Sequence, residues 1–390
     1  CIWNFLVNQM KKINLVIYGA TGSIGKSVLS IIKFNKEKFT LQGVTCNKNY
    51  KKLIKIADEF DVKNLGINKK INKSINDLKR FNIYQDINSF SKIINKKTDV
   101  VIFAISGLAG LDLILQLIKT GKKIGIANKE CIISLGSNLL KIAKNHSSEI
   151  VPLDSEHNSI FHLLKNQHSS FKSITITASG GPFYKLPLKL FKHIGVKDAL
   201  SHPIWRMGKK ITIDSATMVN KALEIIEAKY LFNLNDTQIS AIIHPQAIIH
   251  AMINYKNGVT TALLNEPDMR IPISSLFFEF EAYQKRSNEF NLLNYSKLEF
   301  EPIDIRRFPA VKLGREVMKM GGLAPNVFNY LNEILVNHFI EGSIKFTDIV
   351  YLNETNLEKI FAKNRNIMQP NLSDITSIND WIDKNIYIGR

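Results

Sequence analysis

Two carboxylates two residues apart, Asp154 and Glu156, lie in the stretch from Val151 to Asn158, after the apolar run Ile150-Val-Pro-Leu153. On an extended segment the side-chain period is two, so both would leave the same face. Hard oxygen ligands on one edge, with Ser155 and His157 beside them, suit Mg²⁺ or Mn²⁺. A solvated acidic turn has the same spacing. A further carboxylate comes from the stretch Asp214 to Glu224, which contains Ser215, Thr217, Asn220 and Lys221. Read as the start of a helix capped by Asp214 or Ser215, it puts Asn220 and Glu224, i and i+4, on one face with Lys221 beside them. Glu224 is then a candidate third metal carboxylate, and Ser215, Asn220 and Lys221 are candidates to hold a phosphate. A capped helix with a structural Lys–Glu pair would look the same.

Elements that could position such groups surround them. Ile13–Tyr18 is a short apolar strand, followed by Gly19-Ala-Thr-Gly-Ser-Ile-Gly25 and a helical pattern over Lys26–Phe34. Strand, glycine-rich turn and helix in that order form the first βαβ unit of a dinucleotide-binding domain. Gly19 permits the tight turn, Gly22 lets amides approach a pyrophosphate, and Gly25 allows close helix–strand packing. The helix N-terminus adds free N–H groups and a positive dipole. A second strand, Phe39–Thr45, ends in Cys46-Asn47-Lys48-Asn49. An enzyme using NAD usually carries an acid there for the ribose 2′-hydroxyl; one cation and two amides suit the 2′-phosphate of NADP(H), or form a polar β-turn.

Alternation of helix and strand continues through Lys51–Phe60, Asn64–Ile67, Ile87–Ile94, Val100–Ile105 and Lys123–Ala127, a doubly wound parallel sheet up to about Ser148. Lys129, just beyond the last of these strands, sits where ligands of such sheets bind. A new pattern begins at Ser173–Ala178, a strand running into Ser179-Gly180-Gly181-Pro182, a turn able to aim several N–H groups at one anion. The polar segment 201–210, with Trp205, Met207 and Gly208, reads as a mobile lid or an ordinary surface loop. Helices are expected over Ala310–Met320, Ala324–Glu341, Thr347–Leu352, Thr355–Lys363 and Ile375–Lys384.

Composition bounds the classes. The chain has 390 residues, 45% hydrophobic and 22% charged, which suits a soluble globular protein of two or three domains. Val100–Ile118 is apolar but broken by Ser106, Gly107, Gly110, Asp112 and Gln116, so it reads as strand, turn and helix rather than a membrane span. The net charge of +18 is scattered along the whole length, unlike a nucleic-acid-binding stripe, yet would attract phosphorylated ligands. Three widely spaced cysteines indicate a reducing compartment and no disulfide framework. Residues 1–9 lack signal-peptide features, Met10 reads as the natural start, and the expected location is the cytoplasm.

The architecture expected is α/β: a Rossmann-type domain over 10–150 after an upstream extension over 1–9, and a central catalytic α/β domain over 151–290 with its lid near 200–210. A linker over 291–308 and a small helical domain over 309–390 follow. At this point the chain closely resembles the 1-deoxy-D-xylulose 5-phosphate reductoisomerase family. The resemblance covers essentially everything after Met10. Its motifs, in order, are Gly-Ala-Thr-Gly-Ser-Ile-Gly (19–25), Ala-Asn-Lys-Glu (127–130), Pro-Leu-Asp-Ser-Glu-His-Asn (152–158) and Ser-Gly-Gly-Pro-Phe (179–183). They continue with His-Pro-Ile-Trp-Arg-Met-Gly-Lys-Lys (202–210), the 214–224 stretch, His-Pro-Gln (244–246) and Glu-Pro-Asp-Met-Arg (266–270).

The resemblance implies an NADPH-dependent, Mg²⁺- or Mn²⁺-dependent enzyme that rearranges 1-deoxy-D-xylulose 5-phosphate by retro-aldol cleavage and aldol rejoining. Reduction then gives 2-C-methyl-D-erythritol 4-phosphate, for isoprenoid precursor synthesis. It implies Asp154, Glu156 and Glu224 as metal ligands, and Lys129, Ser155, Asn220 and His202 as contacts to the sugar. Ser179, Ser215, Asn220 and Lys221 would hold the phosphate. Thr21, Gly22, Ser23 and Ile24 would line the pyrophosphate, with Asn47, Lys48, Asn49, Asn128, Glu130, Gly208 and Met269 also on the cofactor side. A homodimer is implied, and no nucleic-acid or membrane partner. Two positions depart from the family pattern: Asn47 where Gly is common, tolerable because Asn accepts positive φ, and Tyr184 where Arg is common. The competing expectation is another NADP-dependent Rossmann dehydrogenase acting on a phosphorylated substrate, which would need neither the metal carboxylates nor the phosphate cluster.

Overall fold

The structure is a computed structural model and describes residues 12–71, 76–165, 171–205, 207–278 and 290–389. The expectations for residues 1–9 and Met10, and for Arg206 in the lid, lie outside the described residues. Two compact units are interleaved along the chain. One comprises 1–128, 141–154 and 268–289; the other comprises 129–140, 155–267 and 290–390.

The first unit is built on seven strands: β1 (Ile13–Tyr18), β2 (Phe39–Cys46), β3 (Asn64–Ile67), β4 (Asn82–Gln85), β5 (Val100–Phe103), β6 (Lys123–Ile126) and β7 (Glu149–Pro152). All pair in parallel, in the order β4-β3-β2-β1-β5-β6-β7. Leu15 to Tyr18 and Val101 to Phe103 are fully buried, which is why the central strands are unbroken apolar runs rather than alternating ones. The chain leaves β1 toward β2 on one side and reaches β5 on the other, so the carboxyl ends of β1 and β5 form a topological switch point. The Ser23–Phe34 helix starts three residues earlier than expected. The expected helix over Ile87–Ile94 is a 3₁₀ run, Ile87–Ile93, opened by Asp86, whose carboxylate accepts from the Asn88 amide. A helix from much later in the chain, Arg270–Phe278, completes this unit. Its Leu276 carbonyl accepts from Lys123 Nζ at 3.0 Å, and Phe277 and Phe278 meet the Phe39 ring edge to face at 5.0 and 5.7 Å.

The second unit holds a mixed sheet of β8 (Phe171–Ala178), β9 (Ile239–Ile243), β10 (Ile249–Tyr255), β11 (Thr260–Leu264) and β12 (Glu301–Pro302), ordered β11-β10-β8-β9-β12. Only β8 and β9 run parallel. Packed helices make up the rest: Lys129–Leu135, Ser155–Lys165, Lys209–Ala216, Val219–Phe232, Pro309–Met320, Ala324–Ile340, Asp348–Lys363 and Leu372–Asn385. Val219–Phe232 and Pro309–Met320 pack closely because Gly314 has no Cβ; an added one would stand 2.6 Å from that of Ala222. Thr347–Leu352 and Thr355–Lys363, expected as two helices, are one. Asn353 at the supposed break is buried and donates to the Phe328 carbonyl at 3.0 Å. Among the described residues, no helix is long and apolar enough to cross a membrane. The two cysteines of the described residues, Cys46 and Cys131, are buried and free.

Candidate active site

In the first unit the glycine-rich turn lies at the switch point. Gly19 has φ +90°, and a Cβ there would come within 2.4 Å of the Ala104 carbonyl oxygen at the end of β5. Gly25 meets Ala20 equally closely, at 2.6 Å, so both positions exclude a side chain for want of space. The turn is tied to β2, with the Gly19 amide donating to Thr45 Oγ1 at 3.0 Å and the Ala20 amide to the Thr45 carbonyl at 2.9 Å. Gly22 caps the following helix, with Ser23 and Ile24 in its first turn, where amides lack intrahelical acceptors. Lys52 reaches back from the next helix to donate to the Thr21 carbonyl at 2.7 Å. Burial lowers the Lys52 pKa, helped by the like charge of Lys26, so two cations gather beside the turn. Free amides at a helix start with two cations beside them are the chemistry that suits a dinucleotide's pyrophosphate.

Asn47, Lys48 and Asn49 follow β2 as expected. Asn47 Oδ1 accepts from Asn68 Nδ2 at 3.2 Å, and Asn49 caps the Tyr50–Glu59 helix by accepting the Lys52 amide at 3.1 Å. Asn47 is not among the residues with positive φ, so replacing the family's glycine carries no left-handed strain. Asn128 lies past β6 and donates to the Ile105 and Gly107 carbonyls at 2.5 and 2.8 Å. Met269 immediately precedes the Arg270–Phe278 helix.

The expected extended Asp-x-Glu segment is not extended throughout. β7 ends at Pro152 and a helix begins at Ser155, so Glu156 sits in a first helical turn, two residues after Asp154. A carboxylate there is favoured by the helix dipole, which explains the sequence without a period-two strand. The Asp214–Glu224 stretch is likewise two helices. Asp214 and Ser215 fall in the last turn of Lys209–Ala216, not at the start of a new helix. Met218, in the left-handed conformation (φ 60°), separates it from Val219–Phe232. Thr217 spans the break, its hydroxyl donating to the Ile213 carbonyl at 3.0 Å and accepting the Val219 amide at 3.4 Å.

Within the second unit, Glu156 and Glu224 converge on one cation. Lys221 Nζ donates to Glu156 Oε1 at 2.9 Å and to Glu224 Oε2. Glu224 Oε1 accepts from Lys129 Nζ at 3.2 Å and from Asn220 Nδ2, and Lys129 also donates to Asn220 Oδ1 at 3.0 Å. Ser155 Oγ donates to Glu156 Oε2 at 2.5 Å. Glu224 and Lys221 are 1% and 3% exposed. Burial pulls the Lys221 pKa down, but Glu156 and Glu224 more than offset it and hold it above the ordinary lysine value. Two carboxylates of different helices thus already share one positive charge.

Around His202 a second group assembles. Nδ1 accepts the amides of Ile204 (3.1 Å) and Trp205 (2.9 Å), so the ring proton resides on Nε2. Nε2 lies 3.3 Å from Ser179 Oγ and 3.1 Å from Ser215 Oγ. Burial pushes the His202 pKa down to about 4, which keeps the ring neutral. Gly180 and Gly181 both have positive φ, and a Cβ on Gly181 would stand 2.9 Å from the Ser215 carbonyl oxygen. The glycine turn therefore seats directly on the helix end carrying Ser215.

Two networks were not singled out in the sequence. Lys210 pairs with Asp214 at 2.8 Å and lies 3.7 Å from Glu130, while Asn332 Nδ2 donates to Asp214 at 2.7 Å. Its i,i+4 Lys–Asp spacing was the available signal. Glu130, expected near the cofactor, is a member of this network. Gly208 caps the Lys209–Ala216 helix, and nothing lies within 4 Å of a Cβ placed on it. The fully buried His157 holds the Glu224 carbonyl at 3.0 Å through Nε2 and lies 3.3 Å from Glu227 through Nδ1. His157 lies within the 152–158 motif, but only the fold reveals its partners.

Comparison with known proteins gives a consistent family. The family profile for 1-deoxy-D-xylulose 5-phosphate reductoisomerase matches residues 15–136, and profiles of the C-terminal domains of that enzyme match 150–232 and 264–385. A relative from Pelagibacter ubique (strain HTCC1062), a 1-deoxy-D-xylulose 5-phosphate reductoisomerase, is 41% identical over 97% of this chain and 99% of its own. One from Wolbachia pipientis wMel, of the same name, is 39% identical over 96% and 95%. Among solved structures, the Zymomonas mobilis reductoisomerase in complex with NADPH superposes with a TM-score of 0.85 at 33% identity, covering 95% of this chain and 97% of that one. A DOX-P reductoisomerase in complex with NADPH, fosmidomycin and magnesium gives 0.87 at 31% identity over the same shares.

Proposed function

The chain belongs to the 1-deoxy-D-xylulose 5-phosphate reductoisomerase family, and from that premise we propose how its own residues carry out the family's reaction. It is an NADP-dependent oxidoreductase that converts 1-deoxy-D-xylulose 5-phosphate to 2-C-methyl-D-erythritol 4-phosphate with a divalent metal ion. The observation that carries the residue assignment is the convergence of Glu156 and Glu224, from two helices, on the single Lys221 ammonium. With Asp154 it gathers the carboxylates that a divalent ion would need, which a dehydrogenase working without a metal would not require.

Asp154, Glu156 and Glu224 are the proposed ligands of the ion, each offering a carboxylate oxygen of the kind Mg²⁺ or Mn²⁺ prefers. When bound, the ion supplies Lewis acidity toward the substrate's carbonyl and hydroxyl oxygens, and NADPH supplies the hydride. Lys129, held by Asn220 and Glu224, is placed to stabilise negative charge on a reacting oxygen. His202, neutral with its proton on Nε2, donates to the sugar, with Ser155 and Asn220 as further contacts. Ser179 and Ser215 beside it, with Asn220 and Lys221, are proposed to hold the phosphate and so to orient the substrate. The Gly19–Gly25 turn takes the pyrophosphate through Thr21, Gly22, Ser23 and Ile24, and Asn47, Lys48 and Asn49 take the 2′-phosphate. Asn128, Glu130, Gly208 and Met269 complete the proposed cofactor side.

In this reading, residues 10–150 bind NADPH, 151–290 bind ion and substrate with a lid near 200–210, and 309–390 buttress the site beyond a linker. The enzyme works in the cytoplasm as a homodimer. The decisive experiment follows NADPH oxidation with 1-deoxy-D-xylulose 5-phosphate, with Mg²⁺ or Mn²⁺ and then with EDTA. Substrate-dependent oxidation abolished by EDTA is expected. Oxidation that survives complete metal removal would overturn the metal role of the three carboxylates.

A further inference from the structure

None of the candidate site residues lines another feature of the second unit, a cavity of about 360 Å³. Its floor is aromatic. Phe191, Phe308 and Phe346 are each at most 4% exposed, and the Phe191 ring meets the other two edge to face at 6.0 Å. Its rim is basic, with Lys189, Lys192, Arg306 and Arg307, and no carboxylate is among the lining residues. Asp304, just outside the lining, pairs with Arg306 at 3.7 Å and feels the charge of Arg307, which leaves Lys189 and Lys192 outside any ion pair of the described residues. Arg307 donates through Nη1 to the Tyr184 carbonyl, while its Nε is buried with no hydrogen-bond partner.

Buried N–H groups of a guanidinium are ordinarily satisfied, so Arg307 Nε beside this half-open space has a donor to offer an acceptor. An anionic acceptor suits the two unpaired lysines together with Arg307. A bare inorganic anion would leave the half-exposed Leu188 side chain of the lining uncovered, and a neutral apolar molecule would leave Nε and both lysines unmet. The volume lies in the range of small-molecule sites, which are mostly apolar with a few placed polar groups. We propose that this cavity binds a soluble amphipathic anion. Its apolar chain lies along Leu188 above the aromatic floor, and its phosphate or carboxylate head lies on Arg307 Nε, Lys192 and Lys189. This is a second ligand site, separate from the groups assigned to the reaction.

The test is calorimetric titration of the full chain with octyl phosphate, compared with inorganic phosphate and with octanol. Octyl phosphate should bind one per chain, at least about tenfold tighter than either half-probe. Lys189→Gln combined with Lys192→Gln should weaken it about tenfold. Both side chains are exposed and outside any ion pair of the described residues, so this variant keeps its fold even if Arg307→Gln, which loses the Tyr184 bond, does not. Val350→Phe, which fills the wall, should weaken binding without touching a charge. Ser215→Ala should leave it unchanged. Binding no tighter than inorganic phosphate would overturn the proposal. So would loss of binding in Ser215→Ala but not in the lysine pair, which would put the probe at the candidate phosphate site. Association only with vesicles containing anionic lipid would overturn it too, because it would make the face a membrane contact.

Discussion

Replacing Glu224 by Gln changes one atom type at the centre of the charged cluster. The carboxylate is 1% exposed, with Lys129 and Asn220 on Oε1 and Lys221 on Oε2. With Glu156, the parent sets two carboxylates against two ammonium groups; Glu224→Gln leaves one against two. The new amide must also aim its N–H₂ at a donor, either a lysine or the Asn220 amide. Breaking a buried ion pair costs about 3–5 kcal/mol. Here Lys221 keeps Glu156 at 2.9 Å and Lys129 keeps the Asn220 oxygen at 3.0 Å, so the expected loss is about 2–3 kcal/mol. Turnover should fall at least about 100-fold while the NADPH dissociation constant stays within about twofold, since the glycine turn is untouched. Denaturant unfolding, NADPH fluorescence titration and steady-state oxidation read the three quantities separately. A second variant, Glu224→Gln with Lys221→Met, restores one charge of each sign and should recover about 1–2 kcal/mol of stability without recovering turnover. Parent-like stability and turnover in the single variant would refute the reasoning. So would a double variant less stable than the single one.

His202 supplies a pH dependence. Its folded pKa of about 4 lies below the ordinary 6.5, so its contribution to stability is fully present above pH 6.5 and is lost as pH falls through 4. The full shift would be worth about 3 kcal/mol, reduced to about 1–2 by partial exposure. His202→Asn should flatten that part of the stability–pH profile, and an unchanged slope would count against it. Gly19→Ala forces a Cβ against the Ala104 carbonyl at positive φ and should cost about 2–3 kcal/mol and at least about tenfold in NADPH affinity. Gly208→Ala has open space for its Cβ but replaces a favoured N-cap residue, so it should cost no more than about 1 kcal/mol by denaturant unfolding. Lys48→Ala should raise the dissociation constant for NADPH about tenfold and leave that for NADH nearly unchanged, as read by fluorescence titration.

The parallel sheet was legible because strands buried on both faces must be apolar throughout, and β1, β2, β3, β5 and β6 fall within two residues of their expected bounds. β4, at the sheet edge, is half exposed and reads Asn-Ile-Tyr-Gln, with no such signal. Gly19, Gly25 and Gly181 were legible because turns that press on backbone exclude a side chain. What escaped was decided by tertiary contacts. A left-handed Met218 carries none of the usual Gly or Asn punctuation, so the break between two helices read as one cap. Asn353 looked like an interruption until the Phe328 carbonyl satisfied it inside a continuous helix. The residue types of the charged cluster were evident, but the sharing of Lys221 between Glu156 and Glu224 depends on helices more than sixty residues apart in the chain.

The late arrival of the Arg270–Phe278 helix bears on how the protein is made. All seven strands of the first sheet have left the ribosome once Pro152 emerges, but the helix that covers Phe39 and receives Lys123 ends 126 residues later, at Phe278. At about 5–20 residues per second, the nascent sheet waits roughly 6–25 seconds with that apolar face open. An open face of Phe and Ile beside a parallel sheet is the surface on which nascent chains associate and which holdase chaperones cover. A stalled or truncated product ending before Ile271 would therefore possess every cofactor-binding motif of the first 128 residues and still be prone to aggregate.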